Sequence, residues 1–231
     1  MKRLYVLCEG QTEDDFVRII LSPYLQNMGV TTKAIICTTK RTLTKKYKGG
    51  VSHYDKIRNE LMRLCGEHPN EMVTTMFDLY GLPKDTPGLG NDLTDIYEKA
   101  KHIEECITDD IGNKFGNMIF SLVLHEFEGL LFSDVSAFED IADNKAVADL
   151  RKIRAAAETP EHIDDSPETA PSKHIKRAIP NYSKVSDGID IAEQIGIDKI
   201  SSECRHFANW LSKITTWAKE GSDLSQAVHM A

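Results

Sequence analysis

The chain has 231 residues, 41% of them hydrophobic and 28% charged, with 36 acids against 28 bases and a net charge of −8. This is the composition of a folded globular protein and excludes wholesale disorder. It also argues against a general nucleic-acid coat, which would be basic. No apolar run approaches the ~18 residues needed to cross a bilayer, so a cytoplasmic, non-membrane protein is expected.

The five cysteines, Cys8, Cys37, Cys65, Cys106 and Cys204, are odd in number, widely spaced and without a CxxC. They predict buried thiols, not a disulfide framework or a zinc ribbon. Charge is segregated along the chain. Residues 33–56 carry seven Lys/Arg against one acid, residues 173–184 carry four bases and no acid, and residues 78–110 carry nine acids against three bases.

Residues 3–8 are apolar and β-prone and predict a first strand. Glu9-Gly10-Gln11-Thr12-Glu13 follows, with Thr12 as the expected N-cap, Glu13 to Asp15 in the first turn, and Gly10 free to adopt an unusual backbone angle. Phe16, Ile19, Ile20 and Leu25 recur at helical spacing to about Met28, Pro23 kinks that helix and Gly29 ends it. Residues 31–38 predict a second strand. The basic stretch 39–52 (Lys40, Arg41, Lys45, Lys46, Lys48) predicts a loop or short hairpin that contacts phosphate or simply faces solvent.

Ile57, Leu61, Leu64 and Cys65 mark a second helix, and residues 72–77 a third strand ending at Asp78. A Gly/Pro loop leads to a helix over roughly 91–108. Residues 117–124 predict a fourth, continuous strand buried on both faces, after which His125-Glu126-Phe127-Glu128 opens another helix.

The alternation predicts an α/β core with a parallel four-stranded sheet and helices on both faces over residues 1–144. A helical C-terminal extension with a basic loop covers 145–231 and packs on the core. Within it, 158–184 is an expected long loop, 199–219 an expected helix with Ile200, Cys204, Phe207, Leu211, Ile214 and Trp217 on one stripe, and the tail from 220 an expected frayed end.

Ligands of parallel sheets bind beyond the carboxyl ends of the strands. Glu9, Asp78 and the Glu126/Glu128 pair stand at three of those ends. Singly, each also reads as a turn or cap residue. Together they form a hard oxygen donor set suited to Mg²⁺ or Mn²⁺, which relieves carboxylate repulsion and activates water at a phosphoryl group. His125 fits a packed core or cap histidine better than a ligand. No P-loop, GxGxxG or HExxH is present.

Cys8-Glu9-Gly10-Gln11-Thr12-Glu13, Phe77-Asp78-Leu79-Tyr80-Gly81 and His125-Glu126-Phe127-Glu128-Gly129-Leu130-Leu131-Phe132 resemble a TOPRIM-like (Rossmann-like) bacterial family of unknown function, distantly similar to OLD-family nucleases. The resemblance extends to Pro171-Ser172-Lys173 and Cys204-Arg205-His206-Phe207. It implies Glu9 as acid/base or ligand, Asp78 as a metal ligand, and Glu126 or Glu128 as a further acid. Tyr80 stands where the second acid of a DxD would be, which bears on a two-metal version of the site. The resemblance also implies an ATPase partner and a setting in phage defence.

The reading that results is a Mg²⁺- or Mn²⁺-dependent nuclease on DNA or RNA. Glu9, Asp78 and Glu126 would be catalytic, with Glu9, Asp78, Glu126 and Glu128 holding metal. Lys173, Lys176, Arg177 and Lys184 would bind substrate phosphates. The alternatives are a non-catalytic nucleic-acid- or partner-binding subunit with a degenerate site, and a small-nucleotide phosphotransferase. The enzyme readings require the acids to meet at one rim of the sheet. Glu9 and Asp78 on opposite edges, or either in a buried pairing with Lys or Arg, would remove them.

Overall fold

The computed structural model describes residues 2–37, 51–112, 114–163 and 169–220. The basic stretch 40–48 and the tail from 221 lie outside the described residues.

Three long parallel strands form the centre: β1 (Lys2–Cys8), β2 (Val30–Ile36) and β3 (Met72–Asp78). They lie in the order β2-β1-β3, with β4 (Met118–Ile119) on the far side of β3. The expected fourth strand is interrupted. Beyond β4 the chain leaves the ladder and rejoins β3 as β5 (Leu122–Val123). Side chains of β3 cause the break. The Thr75 hydroxyl donates to the Ser121 carbonyl and accepts its N–H (2.7 and 2.8 Å), so Ser121 has no need of a ladder partner.

β3 is buried along its whole length, as a central parallel strand should be. Side chains alternate between two cores. Leu4, Val6, Met72 and Met76 face one, and Tyr5, Leu7, Val73 and Phe77 the other. The second core is closed by α3 (Tyr54–Glu67) and α4 (Ile96–Gly112), which buries Ile103, Ile107 and Ile111.

The first core is closed by α1 (Gln11–Phe16), α2 (Ser22–Gln26) and the C-terminal helices. A π-helical turn, Val17–Leu21, joins α1 to α2, with the Ser22 N–H reaching back to the Val17 carbonyl. This widening directly precedes Pro23, whose ring would crowd the preceding turn of a regular helix. Gly29 closes the segment at φ +72°, the left-handed conformation that favours glycine.

After α5 (Glu128–Leu131) come α6 (Asn144–Ala156), α7 (Pro171–Ala178), α8 (Asp187–Ile195), α9 (Ile197–Glu203) and α10 (Arg205–Lys219). Two expectations need correction here. The stretch 158–184 contains a 3₁₀ turn at Pro160–His162 as well as α7, so Lys173, Lys176 and Arg177 stand on a helix. Pro171 supplies the helix's first residue, where its missing N–H costs nothing. The final helix is two helices, broken at Cys204 in extended conformation (φ −112°).

The apolar stripe continues across that break, with Ile200, Cys204, Phe207, Leu211 and Ile214 all buried. Trp210 fixes α10 on the sheet by donating to the Thr74 hydroxyl at 2.8 Å. Among the described residues no helix is long and apolar enough to cross a membrane.

Candidate active site

β1 and β3 are neighbours, and both end at the same rim. The Glu9 N–H bonds the Met76 carbonyl at 3.1 Å, which continues the ladder one residue past β1. The Glu9 carboxylate then accepts the Asp78 N–H at 3.2 Å. Residues 69 positions apart are thereby held side by side.

Gly81 allows this approach. A Cβ there would lie 2.7 Å from Glu9 Cδ, closer than side-chain atoms tolerate. Gly10, the glycine expected to need conformational freedom, is extended (φ −153°), and it occupies the N-cap position expected for Thr12.

α1 brings Glu13 to the same place. Its Oε2 accepts the Gly10 N–H at 2.9 Å, and its Oε1 faces the site. From the sequence, Glu13 reads only as a first-turn acid; the signal for its role is its place in the first turn of the helix that follows Glu9.

After β5 the chain turns at His125, which has φ +61°, an uncommon conformation for a residue with a side chain. The His125 carbonyl accepts the Tyr80 N–H at 3.2 Å, and the two rings lie 5.1 Å apart. His125 is buried as a packed turn residue, and the helix begins at Glu128, later than expected. Glu128 is thereby buried at the site (1% exposed). The Glu126 carboxylate accepts the Ser172 N–H at 3.1 Å, which ties the start of α7 to the site.

Lys184 enters this group from the C-terminal part. Its Nζ lies 3.1 Å from Asp78 Oδ2, 3.3 Å from Glu128 Oε2 and 3.5 Å from Glu13 Oε1. The residue expected to meet substrate phosphate is therefore the internal counter-ion of the acids. Lys173, Lys176 and Arg177 lie elsewhere, on the exposed side of α7.

Three carboxyl groups lie against one ammonium, with Glu9 and Glu126 beside them, and the electrostatics reflect the imbalance. Burial first, then the Glu13 carboxylate, push Glu9 up to about 7 against the pull of Lys184. Burial raises Asp78 well above the usual carboxylate range and raises Glu128, with Lys184 opposing both. Burial pulls the Lys184 ammonium down, but Asp78, Glu128 and Glu13 outweigh it and hold it above its ordinary value. Asp78 Oδ1 is buried with no hydrogen-bond partner.

The matching sequence family covers residues 8–215. The chain belongs to the family described as a domain of unknown function, DUF4276. That span contains all five acids and Lys184. No curated protein matches the sequence. Among solved structures, the chain is similar to the C-terminal region of the Xanthomonas campestris pv. campestris OLD protein, with 14% identity, 92% of this chain and 97% of that chain covered, and a TM-score of 0.39.

The donor set of this DUF4276 chain suits a hard divalent cation in chemistry, and the unpartnered Asp78 Oδ1 is a free ligand atom. The geometry differs from a ready cage. Among the described residues no three His, Cys, Asp or Glu side chains converge to hold a metal ion, and Lys184 Nζ lies against three of the carboxylates instead. Asp78 is thus in the lysine pairing named above as removing an enzyme, but the pairing is partial: Lys184 meets one oxygen of Asp78, leaves Oδ1 without a partner and is shared with Glu13 and Glu128. Glu9 and Asp78 share one rim, as an enzyme requires.

Proposed function

We propose that the chain is a phosphodiester-cleaving enzyme acting on DNA or RNA through a TOPRIM-like acidic site. One observation carries the reading: Glu9, Glu13, Asp78, Glu126 and Glu128 gather where parallel strands end, and a single lysine leaves their charge mostly uncompensated. In a site built only for stability, buried carboxylates are matched by counter-charges. Here Glu9, Asp78 and Glu128 are held above their ordinary range.

Glu9, near 7, is divided between its acid and base forms at neutral pH and would be the base that takes a proton from water. Lys184 offers positive charge to an oxygen of the substrate phosphate. The exposed bases Lys173, Lys176 and Arg177 on α7 steer the phosphate backbone toward the rim, because Glu126 joins the start of that helix to the site. Mg²⁺ or Mn²⁺, held by Glu9, Asp78, Glu126 and Glu128 with Lys184 turned from the acids toward the phosphate, would supply Lewis acidity. A cytoplasmic role in phage defence beside an ATPase partner belongs to the same proposal.

The experiment is cleavage of single- and double-stranded DNA and RNA with Mg²⁺ or Mn²⁺, comparing the natural chain with Glu9→Gln and Asp78→Asn. Loss of cleavage in both supports the reading, and unchanged cleavage in both removes it.

The Lys184–Asp78 pairing, together with Tyr80 in place of a second acid, favours a second reading, a regulatory subunit with a degenerate site. Calorimetric metal binding without turnover, and co-purification with an ATPase, would select it.

A further inference from the structure

A groove of about 1030 Å³ runs along the edge of the sheet at β4, lined by no member of the acid cluster and independent of the proposed nuclease reading. Its floor is Met118, Ile119, Phe120 and Ser121. β4 ends the strand order, and no strand among the described residues pairs with its outer edge. The register fixes what that edge offers. The Val73 N–H bonds the Asn117 carbonyl while Val73 sits opposite Met118. In a parallel ladder this turns the N–H and C=O of Met118 away from β3, into the groove.

The walls are helices from opposite faces of the sheet, since α4 belongs to one core and α10 to the other. On the α4 wall, Glu98, Glu105 and Asp109 are exposed beside the single base Lys101. On the α10 wall, Arg205 and Lys213 are exposed with no acid. One face of the slot is therefore negative and the other positive.

We propose that this edge receives an extended peptide segment from a partner protein, added to the sheet beside β4, with basic and acidic side chains alternating along it. A β-strand projects successive side chains to opposite faces. Its Lys/Arg positions would meet the α4 wall and its Asp/Glu positions the α10 wall, while the main chain bonds Met118. Glu104 of α4 accepts the Leu122 N–H at 2.9 Å and lies 2.8 Å from His206 Nε2 of α10, which joins the two walls at that level. Beside β4 the acidic wall from Glu105 to Asp109 extends about 6 Å at 1.5 Å per helical residue, the reach of about two extended residues.

The same charges decide against other occupants. A nucleic-acid backbone would meet the acids of α4. In a second copy paired edge to edge about a two-fold axis normal to the sheet, each helix would face its own counterpart, acid to acid and base to base.

The test uses the full chain and an eight-residue capped peptide of alternating Lys and Glu, with a control of four Lys followed by four Glu. Fluorescence anisotropy should give at least tenfold tighter binding for the alternating peptide, and hydrogen exchange should slow at the Met118 amide. Glu105→Lys with Asp109→Lys should cost at least tenfold. Met118→Pro should do the same without touching either wall, because an edge strand tolerates proline at an outward N–H. Circular dichroism confirms that the variants fold. Equal binding of the two peptides, no binding at millimolar peptide, binding that leaves the Met118 amide unprotected, or a dimer of this chain through the groove would each overturn the proposal.

Discussion

Lys184 Nζ lies 3.1 Å from one oxygen of Asp78, while the other oxygen, buried beside it, has no hydrogen-bond partner. The pair is half made. Asp78 is compensated on one side only, and the same ammonium is shared with Glu13 and Glu128.

Removing the ammonium should expose that imbalance. Lys184→Met leaves three buried carboxylates facing one another and should lower stability by about 3 kcal/mol in metal-free buffer, the usual order for breaking a buried pair from one side. Millimolar Mg²⁺ or Mn²⁺ should then raise the melting temperature of the variant more than that of the natural chain. Equal metal shifts in the two proteins would mean that Lys184 and metal do not compete.

Glu9 sets a pH dependence with a definite sign. Its folded pKa, about 7, lies above its ordinary value of 4.5. The folded chain therefore binds more protons between those values. Stability from this group is full below about pH 4.5 and is lost as pH rises through 7, in total up to about 3 kcal/mol. Asp78 and Glu128 are raised in the same direction. Urea unfolding of the metal-free chain should show a falling midpoint from pH 5 to pH 8. Glu9→Gln, which keeps an oxygen for the Asp78 N–H, should flatten that fall.

Gly81→Ala should separate position from fold. The added methyl group meets the far end of the Glu9 side chain, which swings aside at little cost. Cleavage should drop at least tenfold, since misplacing a reacting group by about 1 Å costs on that scale, while the melting temperature changes by only a few degrees. A variant of unchanged activity would place Glu9 outside the chemistry.

The bases of α7 should act through salt. Replacing Lys173, Lys176 and Arg177 by Ala should weaken binding to all sequences alike. It should also reduce the slope of log K against log salt by about 2–3, near 0.9 for each phosphate contact on duplex DNA. An unchanged slope would remove α7 from the substrate path.

The sequence by itself determined the α/β alternation, the buried central strands and the acids that follow them, because apolar periodicity and strand-end position are local properties. It also carried the apolar stripe from Ile200 to Ile214, since core packing repeats with the helix. It did not contain the break at Ser121, which depends on the Thr75 hydroxyl of a neighbouring strand. Nor did it contain the role of Gly81, which follows from a side chain 72 positions away.

Above all, only the tertiary structure decided that Lys184 belongs among the acids. In the chain it stands with other bases on an exposed-looking stretch. Folding brings it 106 positions back to Asp78, where unlike charges removed from water hold each other far more strongly than they would at the surface.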